Sequence, residues 1–260
     1  MHTGEQDDSA VFDRDHVLFG PLREAVLDLD QVRRYGATVF GDPDAISLYD
    51  MTPEAWYARG VRLLGRTTVE CTRDSLSRLI AADIAEVSAT APVATTLVLD
   101  PFAGSANTLF WMHQAMPDAA AVGVEVDPVI WEHTSHNLDL VGCRVDLRNG
   151  SYTEALADFE APEEGLAVVF VGPPWGHGFD PTTGLDFGRT TPPVAEIVEH
   201  IEGKVGRPLL VAVQAFERLE PASLAAVQEM FEWSQLRTYS LNPPGKNPAT
   251  LLGTRGWTPR

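Results

Sequence analysis

The sequence predicts an α/β fold, a mainly parallel sheet with helices on both faces, preceded by a helical N-terminal extension. Two observations carry that expectation. From residue 95 onward, short apolar runs at 95–99, 120–124, 144–147, 166–171 and 209–213 alternate with stretches of helical period at 108–116, 128–140, 152–159 and 193–200. Strands alternating with helices imply parallel pairing through crossovers. Upstream of residue 91 the apolar spacing is helical throughout, with few β-branched runs. Two further strands, near 235–241 and 249–252, would form a hairpin-like pair at the end of the chain and bring the sheet to seven.

The extension, residues 1–90, reads as three helical pieces packed on a second unit, residues 91–260. The first runs from Pro21 to Tyr35, with Leu22, Ala25, Val26, Leu29 and Val32 on one face and Pro21 in the first turn, where its missing N–H costs nothing. The second starts at Thr52-Pro53-Glu54, an N-cap followed by proline and an acidic first turn. The third carries Leu76, Leu79, Ile80, Ile84 and Val87 and ends before Ala91-Pro92. The first dozen residues, rich in Gly, Gln, Asp and Ser, read as disordered.

With 260 residues, 44% of them hydrophobic, the chain is long enough for one substantial core. No apolar run approaches the roughly 20 residues that cross a bilayer, and the start lacks a signal-peptide pattern. A cytoplasmic location without membrane partners is the expectation. Cys71 and Cys143 lie far apart with no neighbour at metal spacing, so both read as buried thiols and no metal site is expected. The net charge is −18, from 19 basic and 37 acidic residues. Nucleic-acid binding draws on phosphate neutralisation by Lys and Arg. The nearest thing to a basic patch is Arg59, Arg62, Arg66, Arg73 and Arg78. The charge therefore favours a small neutral or cationic ligand over nucleic acid.

In a doubly wound sheet, ligands bind beyond the carboxyl ends of the strands. The first strand runs into Asp100-Pro101-Phe102-Ala103-Gly104-Ser105-Ala106-Asn107-Thr108. Small residues there let backbone approach a ligand, and the next helix, with Asn107 or Thr108 as cap, offers free N–H groups. This is not the G-x-G-x-x-G dinucleotide pattern. The second strand ends at Glu125-Val126-Asp127-Pro128, where the carboxylate, about 25 residues beyond Asp100, suits a pair of ribose hydroxyls. After the third strand, Ser151 would reach an adenine edge in place of a carboxylate. The fourth is followed by Gly172-Pro173-Pro174-Trp175-Gly176-His177. Its prolines stiffen the loop and leave the Gly172 and Pro173 carbonyls as acceptors, while Trp175 offers a flat face for a planar ligand.

Together these segments resemble the class I S-adenosylmethionine-dependent methyltransferases, which implies a Rossmann-like seven-stranded sheet. Within that class they resemble most the RNA cap guanine-N2 (trimethylguanosine synthase-like) family. The matching segments are Asp100-Pro101-Phe102-Ala103-Gly104, Glu125-Val126-Asp127-Pro128 and Pro173-Pro174-Trp175-Gly176, with Asn137-Leu138-Asp139-Leu140-Val141-Gly142 beside them. The resemblance spans about residues 55–255. It implies S-adenosylmethionine as cofactor, bound by Asp100, Phe102, Ala103, Gly104, Asn107, Thr108, Glu125, Val126, Ser151 and Gly172. It also implies in-line methyl transfer beside Pro173 and Trp175.

This sequence departs from the family at Gly172, where an Asp, Asn or Ser side chain is usual, and at Ser151. His177, with Asp180 three residues on, is the candidate general base. The run 176–188 reads as a substrate loop, with Asp186 and Arg189 as weaker candidates within it. Asn242-Pro243-Pro244-Gly245-Lys246 reads as a hairpin loop, and Trp111, Trp131, Trp233 and Trp257 as packing residues. The expected activity is methylation, at nitrogen, of a small planar or amine-bearing metabolite. The alternatives are an RNA or nucleotide guanine-N2 methyltransferase and an inactive S-adenosylmethionine-binding module.

Overall fold

The computed structural model describes residues 18–162, 164–242 and 246–259. The first dozen residues, for which disorder is expected, and Pro243, Pro244 and Gly245 of the expected hairpin loop lie outside them.

Among the described residues the extension contains α1 (Leu29–Phe40), α2 (Pro53–Arg59), α3 (Gly65–Glu70) and α4 (Asp74–Ser88). The first starts eight residues later than the apolar spacing predicts. Asp28 accepts from the Gln31 N–H, and Gln31 reaches back to the Asp28 N–H, a capping box that sets the start of the helix. Val26 instead bridges to Leu64 in extended conformation. At α2 the expected cap forms, with Thr52 as N-cap, Pro53 in the first turn and Gly60 closing the helix at φ 103°. The short α3 has no apolar period and was not expected.

The second part alternates β1 (Thr95–Asp100), α5 (Asn107–Ala115), β2 (Ala120–Glu125), α6 (Pro128–Val141), β3 (Asp146–Asn149), α7 (Tyr152–Ala155) and β4 (Leu166–Val171). There follow β5 (Phe179–Asp180), β6 (Gly184–Leu185), α8 (Val194–Val205), β7 (Leu209–Phe216), α9 (Pro221–Gln228), β8 (Trp233–Thr238) and β9 (Pro248–Arg255). Seven strands form one sheet in the order β3-β2-β1-β4-β7-β9-β8; β5 and β6 make a separate small hairpin. The first five are parallel, and β9 runs antiparallel to both β7 and β8. The chain thus builds outward from β1 to β3, then crosses back to β4 on the other side. That reversal is the switch point, and the crevice it opens lies between the loops after β1 and β4.

Burial follows the pleat. On β1, Val98 faces the extension while Leu97 and Leu99 face the opposite layer. One core joins Val98, Val168 and Leu210 of the sheet to Leu109 and Met112 of α5, Ile80 and Ile84 of α4, and Trp56. Extension and sheet therefore share a core. The other packs Leu99, Val169 and Val211 against Ile197, Val198 and Ile201 of α8. Central β4 is buried along its whole length, as its unbroken apolar run requires.

Three expectations need correction. The strand read at 144–147 is β3 at Asp146–Asn149, pairing Val122 with Asp146 through to Glu125 with Asn149. The helix read at 152–159 stops after one turn, where Arg148 donates to the Ala155 carbonyl. The cap of α5 is Ala106, in left-handed conformation and without a side-chain cap, rather than Asn107 or Thr108. Helix α9 and the β5–β6 hairpin were not expected. Trp111, Trp131 and Trp257 each tie their indole N–H to the fold, at Asp74, Leu147 and Leu209, and Trp233 packs against the core.

Candidate functional site

The loop after β1 takes its shape from Asp100. Only 2% exposed, its carboxylate accepts from the Phe102 N–H at 3.0 Å. Ala103 then donates to the Val124 carbonyl of β2, seating the loop on that strand. Gly123 leaves room for the seat; a Cβ there would lie 3.3 Å from the Ala103 Cβ and 2.8 Å from Leu147. Gly104 turns at φ 51°, and a Cβ on it would meet no atom within 4 Å. The loop therefore presents backbone to open space.

Glu125 closes the other side. It is 8% exposed, with one carboxylate oxygen accepting from Gly104 at 2.9 Å and the other from Asp127 at 2.8 Å. Burial raises its pKa, and the two backbone donors oppose that rise. Burial, with the charge of Glu125 as a smaller contribution, pushes Asp100 up to about 7. Val126 stands 66% exposed beside Glu125, an apolar side chain lying open at the same rim. Phe102 packs against Tyr152 across the loop, ring centroids 5.4 Å apart. Ser151 caps α7, its hydroxyl accepting from the Glu154 N–H and bonding the Glu154 carboxylate at 2.6 Å.

Asn107 and Thr108 face the extension rather than open space. The Asn107 carbonyl oxygen accepts from the Tyr49 N–H at 2.8 Å, and its amide donates to the Thr72 carbonyl and to Asp74. Thr108 lies 3.4 Å from the Ser77 hydroxyl. Tyr49 and Asp50 both take left-handed backbone, at φ 53° and 63°, and the Tyr49 hydroxyl donates to the Ser105 carbonyl at 2.6 Å. Two adjacent non-glycine residues in that region are held only where surroundings over-determine them. Sequence reading did not single out Tyr49, Thr72 or Asp74, because nothing local marks them.

Across the crevice, the loop after β4 leaves the Gly172 and Pro173 carbonyls free of hydrogen bonds from the described residues, while Pro174 accepts from Thr191. Trp175 stacks on Phe179 at 5.6 Å and meets Phe216 edge-on, which fixes its ring. His177 is exposed on a short turn, Gly176–Gly178. Asp180 does not orient it: that carboxylate accepts from Thr182 and Thr183 within its own loop. Asp186 likewise serves Gly188, and Arg189 is exposed.

The five arginines form no common patch. Arg59 donates to the Leu140 carbonyl and Arg62 lies over the Tyr57 ring. Arg66 bridges Glu24 and Asp127, each at 2.8 Å. Arg73 covers Phe40, while Arg78 pairs with Asp50 over Trp111. Neither cysteine pairs with the other, and burial pushes Cys71 to about 12 and Cys143 to about 11.

No protein-family model and no curated protein sequence matches the chain. Solved structures do. The precorrin-6y C5,15-methyltransferase of Geobacter metallireducens GS-15 aligns over 71% of this chain and 89% of its own, with 17% identity and a TM-score of 0.50. A Klebsiella pneumoniae protein provisionally named an O-methyltransferase aligns over 93% and 96%, with 13% identity and a TM-score of 0.52. A Listeria monocytogenes protein provisionally named a class I S-adenosylmethionine-dependent methyltransferase aligns over 90% and 71%, with 13% identity and a TM-score of 0.51. The chain has the class I methyltransferase fold. At these identities the likeness concerns the fold, and within it the loops after β1, β2 and β4 lie around the switch-point crevice. Among the described residues no helix is long and apolar enough to cross a membrane.

Proposed function

We propose that this chain is an S-adenosylmethionine-dependent methyltransferase whose acceptor is a small planar or amine-bearing molecule, methylated at nitrogen. The observation that carries the proposal is the pairing of Glu125 with the Gly104 N–H beneath open space, with Val126 exposed alongside. An acidic strand end, an approachable backbone turn and an open apolar side chain fit a ligand with a ribose, a charged tail and a flat base.

In this reading Glu125 holds the ribose hydroxyls. Asp100, Phe102, Ala103 and Gly104 border the methionine end, and Val126 and Ser151 the adenine. Asn107 and Thr108 act one step back, tying the loop to the extension. When bound, S-adenosylmethionine would supply an electrophilic methyl group for a nucleophilic nitrogen, leaving this chain to hold and orient the acceptor and to accept its N–H proton. The Gly172 and Pro173 carbonyls hold acceptor N–H groups and so aim the lone pair. Trp175, its ring fixed by Phe179 and Phe216, flanks a planar acceptor. His177, exposed beside Trp175, takes the released proton through water.

RNA as acceptor is disfavoured by the net charge of −18 and by the engagement of all five arginines within the fold. The test is methyl transfer from labelled S-adenosylmethionine in a cell extract, separated into small-molecule and RNA fractions. Label in the small-molecule fraction supports this reading. Label confined to RNA overturns the choice of acceptor and favours a guanine-N2 activity. A protein that binds cofactor and labels neither fraction is a binding module.

A further inference from the structure

Residue 172 is a glycine at a position that faces the crevice, and the space its side chain would fill is taken. The register of β4 with β7 sets Val171 beside Val213, so Gly172 and Gln214 lie next to each other at the carboxyl ends of adjacent parallel strands. A Cβ on Gly172 would stand 2.8 Å from the Gln214 Oε1 and 3.3 Å from the Phe170 ring. Gln214 is the only polar side chain in β7, Leu209–Phe216, and it is half-buried where the five residues before it are fully buried. Its Nε2 points at the Thr72 hydroxyl, 3.5 Å away, and Thr72 in turn holds Asn107 and Ser77 through its carbonyl. With the amide nitrogen turned to the extension, Oε1 points toward Gly172 and accepts no hydrogen bond from the described residues.

We infer that Gln214, reaching over from β7, supplies the side-chain acceptor that Gly172 lacks and positions the N–H of the methyl acceptor beside the free Gly172 and Pro173 carbonyls. The glycine and the glutamine are then one feature: a side chain at 172 would require the Gln214 amide to move from the place it holds. A neutral carbonyl at this point selects acceptors that donate an N–H, and it leaves the site without a fixed charge from either strand end. The inference rests on the methyltransferase reading.

Sinefungin tests it without knowledge of the acceptor, since this analogue of S-adenosylmethionine carries an amine where the transferred methyl would be. S-adenosylhomocysteine lacks that group and serves as the reference. Dissociation constants of both are measured by calorimetry for the wild type, Gln214→Leu and Gln214→Glu. Gln214→Leu should weaken sinefungin about tenfold, the scale of one hydrogen bond to a charged donor, and leave S-adenosylhomocysteine within about twofold. Gln214→Glu should tighten sinefungin relative to S-adenosylhomocysteine by a similar factor. Unchanged ratios in both variants overturn the inference, as does a parallel loss of both ligands, which would make Gln214 only a brace for Thr72. If the wild type binds neither compound, the methyltransferase reading itself fails and this inference falls with it.

Discussion

Asp100 bears the electrostatic strain of the site. It is buried, faces Glu125, and accepts one backbone hydrogen bond, so its carboxyl is pushed up to about 7. A folded pKa above the unfolded value of about 3.9 means that the stabilisation is fully present below that value. It is lost as pH rises through about 7. Asp100→Asn keeps the acceptor for Phe102 and removes the ionisation. The variant should therefore gain stability over the wild type as pH rises from 4 to 8, by roughly a few kcal/mol at the upper end, and no advantage should remain near pH 4. Thermal unfolding across that range checks it. The same substitution should weaken cofactor binding, because the strain sits where the ligand's ammonium end would relieve it. The strand-end placement of Asp100 and Glu125 was legible in the sequence because each is an acid at the end of an apolar run. Asn107 was misread as a cap because its partners, Tyr49 and Thr72, lie 58 and 35 residues away.

At the scale of elements, polar clasps attach the extension to the α/β part, and three of them centre on Asn107, Asn137 and Arg66. Asn107 joins Tyr49, Thr72 and Asp74; Asn137 both donates to and accepts from the Arg62 backbone; Arg66 meets Asp127 at the start of α6. The Asn137 clasp gives the segment Asn137-Leu138-Asp139-Leu140-Val141-Gly142 a structural purpose. Each clasp satisfies buried polar groups, so removing one partner strands the others. Asn107→Ala should destabilise the protein by about 2–4 kcal/mol in urea unfolding. Amide exchange should speed up around residues 45–75 before it does in β4, since the latter is buried throughout. Equal acceleration in both would mean that extension and sheet unfold only as one unit. Where caps are strong the sequence was legible: the start of α2 at Thr52-Pro53 and both ends of α6 to within a residue. The start of α1 was not, because the apolar period continued through Leu22 and Val26 while the Asp28–Gln31 box decided the boundary.

For the whole molecule, the alternation of strands and helices was enough to read the sheet and its seven strands. The order β3-β2-β1-β4-β7-β9-β8 and the register between strands came only with the structure. That register is what brings Gln214 to Gly172, 42 positions apart in the chain (214 − 172). Charge was legible in sign but not in placement: the arginines that looked like a patch in sequence are spread over five separate contacts. The central claim is that Glu125 and the Gly104 turn form an S-adenosylmethionine site. Equilibrium dialysis with labelled S-adenosylmethionine tests it most directly, on the wild type and on Glu125→Ala. The account predicts one bound cofactor per chain in the wild type and at least about a tenfold weaker affinity in the variant, the loss of charge-assisted hydrogen bonds to the ribose. A wild type that retains no label, or a variant that binds as tightly as the wild type, would contradict it.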